Sequence, residues 1–161
     1  MQRLIILPIV LFFGYAVAMA QNQPAKELGD AEIENLVKKA NSAYWNDSLK
    51  EAFDYYSIAA DHGNLQAITM LGQIYEEGEA VDKDPAKAME YYLRAAEQGY
   101  APAQNHLGVM YDDGIGTERD YDKALYWYRK AAEQGDTAAQ MNLEELEQRL
   151  KAEKKGGQSK P

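Results

Sequence analysis

Carboxylates are the most abundant chemistry-bearing groups in this chain: 26 Asp and Glu stand against 17 Lys and Arg, with 2 His and 0 Cys. They gather at Glu76-Glu77-x-Glu79, at Asp112-Asp113 and at Glu118. Paired carboxylates can run general acid–base chemistry or hold a hard cation. Asp112 and Asp113 precede a glycine turn, but the full ligand pattern of a calcium loop is missing, so these clusters read as solvated acidic helix ends. Gly114-x-Gly116 lacks the preceding strand and the lysine of a phosphate-cradling loop. His62 and His106 have no paired spacing for zinc. His62 falls in the last turn of a predicted helix, and His106 is expected to be exposed or at a groove edge. Without cysteine there is no thiol nucleophile, no disulfide framework and no attachment point for a lipoprotein anchor. No catalytic arrangement emerges, and no cofactor or metal site is expected: the chain reads as a non-enzyme. Its net charge of −9 repels phosphate backbones, which excludes nucleic acid as a partner and argues against anionic lipid.

The aromatic residues admit two readings. Tyr55, Tyr56, Tyr91, Tyr92, Tyr126, Trp127 and Tyr128 could form a platform for a glycan or peptide. Their recurrence at one fixed offset favours packing between repeated units instead. Trp45 has no aromatic counterpart later in the chain, so it is either a contact residue or a cap on the core.

That offset is the organising feature of the chain. From Ala52 onward the sequence repeats every 36 residues without insertion: Ala52, Ala88 and Ala124; Tyr56, Tyr92 and Tyr128; Ala59-Ala60, Ala95-Ala96 and Ala131-Ala132; Gly63, Gly99 and Gly135. Ala67, Ala103 and Ala139 follow, then Leu71, Leu107 and Leu143, with Gly72 matching Gly108 and Gly78 matching Gly114. Apolar residues inside each unit fall at helical spacing on two segments, which predicts a pair of helices per unit. Asp84 before Pro85, and Asp120, read as N-caps of the second helices. Gly72 and Gly108 would let a neighbouring helix approach closely. The tyrosines would fill the gaps between pairs with their hydroxyls near the wet rim.

The ends differ from the repeats. Residues 1–20 resemble a secretory signal: Arg3, an apolar run from Leu4 to Phe13, and Ala18-Met19-Ala20 as a cleavage site, with Gln21 as the mature start. The alternative is a retained anchor of about 17 apolar residues. Residues 21–29 are expected to be flexible, 30–63 a first helix pair, 64–99 and 100–135 full units, 136–153 a capping helix and 154–161 a disordered tail. Glu144 and Glu147 place acids where a further unit would stack, as a terminal cap requires. About seven helices follow.

Leu107-Gly-Val-Met-Tyr111, Gly114-x-Gly116 and Asp120-Tyr-Asp-Lys-Ala124-Leu-Tyr-Trp127-Tyr128-x-Lys130-Ala-Ala-Glu-Gln-Gly135 resemble a Sel1-like repeat, and Leu71-Gly72 to Gly99 is similar. Asn41-Ser-Ala-Tyr44 with Leu49-Lys-Glu-Ala52 looks more like the related tetratricopeptide repeat. Thr117, where Val is usual, and the degenerate last unit depart from the pattern. The resemblance implies an all-α fold, a right-handed superhelical solenoid of stacked antiparallel helix pairs. It also implies an adaptor that holds a protein or peptide in the concave face. Matching to the tetratricopeptide pattern places Lys38, Trp45, Gln66, Thr69, Gln73, Glu77, Asn105, Val109, Asp112 and Met141 on that face. This set is acidic with a few apolar spots and suits a peptide carrying basic residues. A periplasmic or secreted location follows from the leader, with no stable membrane insertion once it is cleaved. Two other functions are compatible with the family. One is hydrolysis of cell-wall or β-lactam-type substrates, associated with a cysteine-rich branch from which this cysteine-free chain departs. The other is a structural role in an envelope export complex.

Overall fold

Alanine at fixed places lets helices pack closely, and glycine or aspartate at fixed places starts and stops them. The computed structural model describes residues 28–157, and they form seven helices and no strand. In chain order these are α1 (Asp30–Trp45), α2 (Leu49–Asp61), α3 (Leu65–Glu77), α4 (Pro85–Ala96), α5 (Ala101–Asp113), α6 (Tyr121–Ala132) and α7 (Thr137–Gly157). Each helix packs on the next, giving antiparallel pairs α1–α2, α3–α4 and α5–α6 stacked in a row, with α7 closing the end. This is an all-α solenoid. The leader expected at 1–20 and most of the flexible segment lie outside the described residues. So does the tail beyond 157, although the last helix runs past 153 to Gly157.

Helix ends follow the sequence signals. The Asp84 side chain accepts from Lys87 N at 3.0 Å and Asp120 from Lys123 N at 3.0 Å, each satisfying an N–H that has no partner inside the helix. Asn64 and Asp136 do the same for α3 and α7. Gly78 and Gly114 end α3 and α5 in the left-handed region, at φ 76° and 73°, where a Cβ is strained.

The seams between units also repeat. The carbonyls of Ala60, Ala96 and Ala132 stand at the same place in each second helix, and each receives a donor from the following unit. These donors are Arg94 Nη2 at 2.6 Å, Gln104 Nε2 at 3.0 Å and Gln140 Nε2 at 3.3 Å. A buried carbonyl at a helix end costs free energy if it is left unpaired. The next unit therefore completes the previous one.

The core is a run of alanines with large residues between them. Ala52, Ala88, Ala124, Ala59, Ala95 and Ala131 are wholly buried, as are Leu107, Ile68, Ile74 and Met110. Tyr92 and Tyr128 lie over Gly72 and Gly108, on the first helix of their own pair. This corrects two sequence expectations. The tyrosines fill space within a pair, with Tyr92 also meeting His106 of the next one, and their hydroxyls are not at a wet rim. Tyr56 and Tyr92 are wholly buried; the Tyr56 hydroxyl donates to Asn41 Oδ1 at 2.7 Å and the Tyr92 hydroxyl to Glu76 Oε2 at 2.8 Å. Burial pushes the Tyr56 phenol up to about 12 and the Tyr92 phenol up as well, so both remain neutral donors at neutral pH.

The last described helix packs on the unit before it. Leu146 is wholly buried against Ala124 and Tyr128. Glu144 is exposed, and Glu147 pairs with Arg129 at 3.3 Å. Leu143 is half-buried whereas Leu71 and Leu107 are buried; among the described residues no further unit follows α7.

Candidate functional site

The first helices of the pairs, α1, α3, α5 and α7, carry all ten residues expected on the binding face. The structure divides them into groups. Trp45, Gln66 and Gln73 come together with Asn41, Tyr44, Tyr56 and Met70 around a depression of about 300 Å³ between α1 and α3. Positions 41 and 45, and 66, 70 and 73, share helix faces by their spacing. The Trp45 ring is 84% exposed and stands edge-on to Tyr44, with ring centroids 6.0 Å apart. An exposed tryptophan loses contacts to solvent that a partner can restore, so it marks a contact site more sharply than scattered aliphatic residues do.

Glu77 adjoins the depression through Gln73, whose Nε2 donates to Glu77 Oε1 at 3.0 Å. Burial holds the Glu77 carboxyl above the usual carboxylate range, and Glu79 and Glu76 add to this against the Gln73 hydrogen bond. Burial also raises the Tyr44 phenol, with the Glu79 carboxylate that it faces as the next cause. The depression therefore has an aromatic wall, an amide floor and an acidic rim.

The other expected residues go elsewhere. Thr69 is only 6% exposed, and its hydroxyl donates to the Leu65 carbonyl at 2.8 Å. It is part of the packing and not of a free face. Asn105 accepts from Asn142 Nδ2 at 3.0 Å, and Asp112 is paired with Arg149. Both donors come from α7. Val109 packs against the C-terminal core. Lys38 is exposed, and Met141 is 70% exposed at the start of α7; neither lines the depression. Asn41, Tyr44 and Met70 were not expected there. Their helical spacing to Trp45, Gln66 and Gln73 was the available signal, but Asn41 and Tyr44 had been absorbed into the repeat signature.

His106 also departs from expectation. It is half-buried and lies flat on Tyr92, with ring centroids 4.6 Å apart and planes at 2°. Burial lowers its pKa below 6.5, against weaker opposing effects of Glu76 and Asp136. Above that value the ring is neutral in folded and unfolded chains alike. As pH falls below it, the unfolded chain takes up the proton first, so the His106 contribution to stability is lost downward from about 6.5. Urea unfolding of wild type and His106→Gln at pH 7.5 and 5.5 checks this. Wild type should lose more stability than the variant, and an equal change would show that His106 does not titrate differently on folding.

A second, more open trough is lined by Asp47, Ser48, Leu49, Lys50, Glu51, Asp54, Glu79 and Ala80. Among the described residues no group of three or more His, Cys, Asp or Glu is placed to hold a metal ion. Also among them, no helix is long and apolar enough to cross a membrane.

Comparison with known proteins agrees with this architecture. The Sel1 repeat family model matches residues 47–64, 65–100 and 101–136. A protective antigen of uropathogenic Escherichia coli, which displays an SLR fold, is 28% identical with a TM-score of 0.65; the match covers 84% of this chain and 28% of that one. A Sel1 repeat protein from Oxalobacter formigenes is also 28% identical, with a TM-score of 0.63, over 84% of this chain and 98% of that one. Cysteine rich protein B of Helicobacter pylori is 22% identical over 67% of this chain and 92% of its own, with a TM-score of 0.54, and shares the fold. No sequence relative matches among curated proteins. With three consecutive matches spanning most of the helices, the chain belongs to the Sel1 repeat family.

Proposed function

We propose that this chain is an exported adaptor that binds another protein or peptide on the face carried by its first helices. Sel1-repeat proteins are in general protein-interaction scaffolds, which supports the class. The observation that carries the site is the depression between α1 and α3, lined by the exposed Trp45 and by Gln73, which holds Glu77 at its edge. Aromatic anchors ringed by polar groups dominate the energetics of protein interfaces. Export rests on the leader-like residues 1–20 and places the helices in the periplasm or outside the cell.

The test is a crosslinking pull-down from a cell-envelope extract with the chain from Gln21, wild type beside Trp45→Ala and Glu77→Lys. Trp45 contributes little to the core, so Trp45→Ala should unfold at the wild-type urea midpoint. An anchor of this kind is worth about 2 kcal/mol, or roughly 30-fold in affinity, so capture should fall by that order. Loss through Glu77→Lys should depend on salt. Undiminished capture of the same proteins by both variants would place the partner on another surface.

A further inference from the structure

Glu76 and Asp112 stand one 36-residue repeat apart, on α3 and α5. Their surroundings differ. In the later unit the chain supplies its own cation: Arg149 of α7 pairs with Asp112, its guanidinium 5.5 Å from the Tyr121 ring centre. The residue one repeat before Arg149 is Asp113, an acid, so α5 offers α3 no such cation. Among the described residues no lysine or arginine pairs with Glu76, Glu77 or Glu79. Glu76 instead accepts the Tyr92 hydroxyl, Glu77 the Gln73 amide, and Glu79 faces the Tyr44 hydroxyl. Gln73 and Tyr44 also line the depression beside Trp45, so the rim that lacks a cation and the aromatic wall belong to one place.

We propose that this depression seats an arginine side chain from an extended segment of the partner protein. The guanidinium is taken by Glu77 and Glu79 and its flat face is laid on the Trp45 indole. The inference rests on reading the first-helix face as protein-binding and adds the chemistry of what binds. Arginine fits better than lysine for physical reasons. Its planar fork can address two carboxylates at once, it is weakly hydrated, and it stacks on an indole. A space of about 300 Å³ admits a side chain or two of an extended segment, not a folded element. The chain's net charge of −9 would draw such a segment in over a longer range. The same seat should weaken at acid pH, where Glu77, already raised by burial, takes up a proton.

The experiment uses the chain from Gln21, which keeps every described helix. The probe is a library of nonapeptides with arginine at the centre and varied neighbours, beside the same library with citrulline, which keeps the shape and loses the charge. Binding is followed on the Trp45 indole N–H resonance, distinguished from that of Trp127 by Trp127→Phe. Arginine peptides should shift the Trp45 resonance, with affinity about 10-fold higher than their citrulline counterparts. Glu77→Gln with Glu79→Gln should abolish that preference without moving the unfolding midpoint. Equal binding of both libraries at Trp45 overturns the arginine seat and leaves the protein-binding face standing. Failure of both libraries to perturb any first-helix residue overturns the seat and the face together.

Discussion

Alanine in place of Gly72 or Gly108 is expected to destabilise the protein by about 2 kcal/mol, although alanine is the better helix former. On propensity alone the substitution should stabilise a helix interior by about 1 kcal/mol. The opposing effect is steric. A Cβ on Gly72 would sit 2.7 Å from Tyr92 Cε1 and 2.8 Å from Cδ1, and on Gly108 it would overlap the Tyr128 ring still more. Carbon atoms in contact prefer about 3.5–4.0 Å, so a ring or a helix must move. Tyr92 cannot swing away, because it is wholly buried and its hydroxyl is tied to Glu76. Overpacking of this kind costs about 1–3 kcal/mol and more where backbone has to shift, which outweighs the propensity gain. Urea unfolding followed by circular dichroism reads the sign. A double variant, Gly72→Ala with Tyr92→Leu, should recover at least about 1 kcal/mol relative to the sum of the single changes. If Gly72→Ala raises the midpoint, the close approach of Tyr92 to Gly72 is not what sets the spacing of α3 and α4.

The larger loss is expected from Tyr92→Ala, about 4 kcal/mol. That is a large part of the roughly 5–15 kcal/mol that holds a domain of this size together. The ring fills the space over Gly72, which alanine cannot fill, and it supports the flat face of His106 from the next unit. Tyr92→Phe keeps both contacts and loses the bond to Glu76, so about 1 kcal/mol is expected from it. In a stacked array the damage should be local first. Amide exchange should rise in α3, α4 and α5 before α1 and α2, since each unit touches only its neighbours. A Tyr92→Ala variant within about 1 kcal/mol of wild type would mean that the site collapses to fill the void, and that the tyrosine seam is not what joins the pair.

The architecture was legible because it is written three times over. One offset carried the alanines, the tyrosines and the turn glycines, and Asp84 and Asp120 marked where the second helices begin. The candidate site was legible only in part, and the reasons are tertiary. The depression has Trp45, Gln66 and Gln73 from the expected set, since solvent-facing positions on α1 and α3 follow from helical spacing. Thr69 is buried, with its hydroxyl turned back to the Leu65 carbonyl, and tertiary burial of that kind is not registered by single-helix spacing. Asn105 and Asp112 failed because their partners, Asn142 and Arg149, lie in the unit where the repeat pattern degenerates. His106 looked peripheral because nothing in its own helix shows that Tyr92 lies flat beneath it. Where the pattern broke, at Trp45 and at Arg149, the chain placed its most informative side chains.

The carbonyls of Ala96 and Ala132 each receive a glutamine from the segment that follows, Gln104 and Gln140, one 36-residue step apart. An in-frame tandem duplication of the coding segment for 101–136 would therefore meet compatible junctions on both sides. The new Gln104 copy would find the Ala132 carbonyl, the new His106 copy would meet Tyr128, and α7 would keep the neighbour it has now. The gene can thus change the reach of its product by whole increments in one recombination event, with no joint to invent.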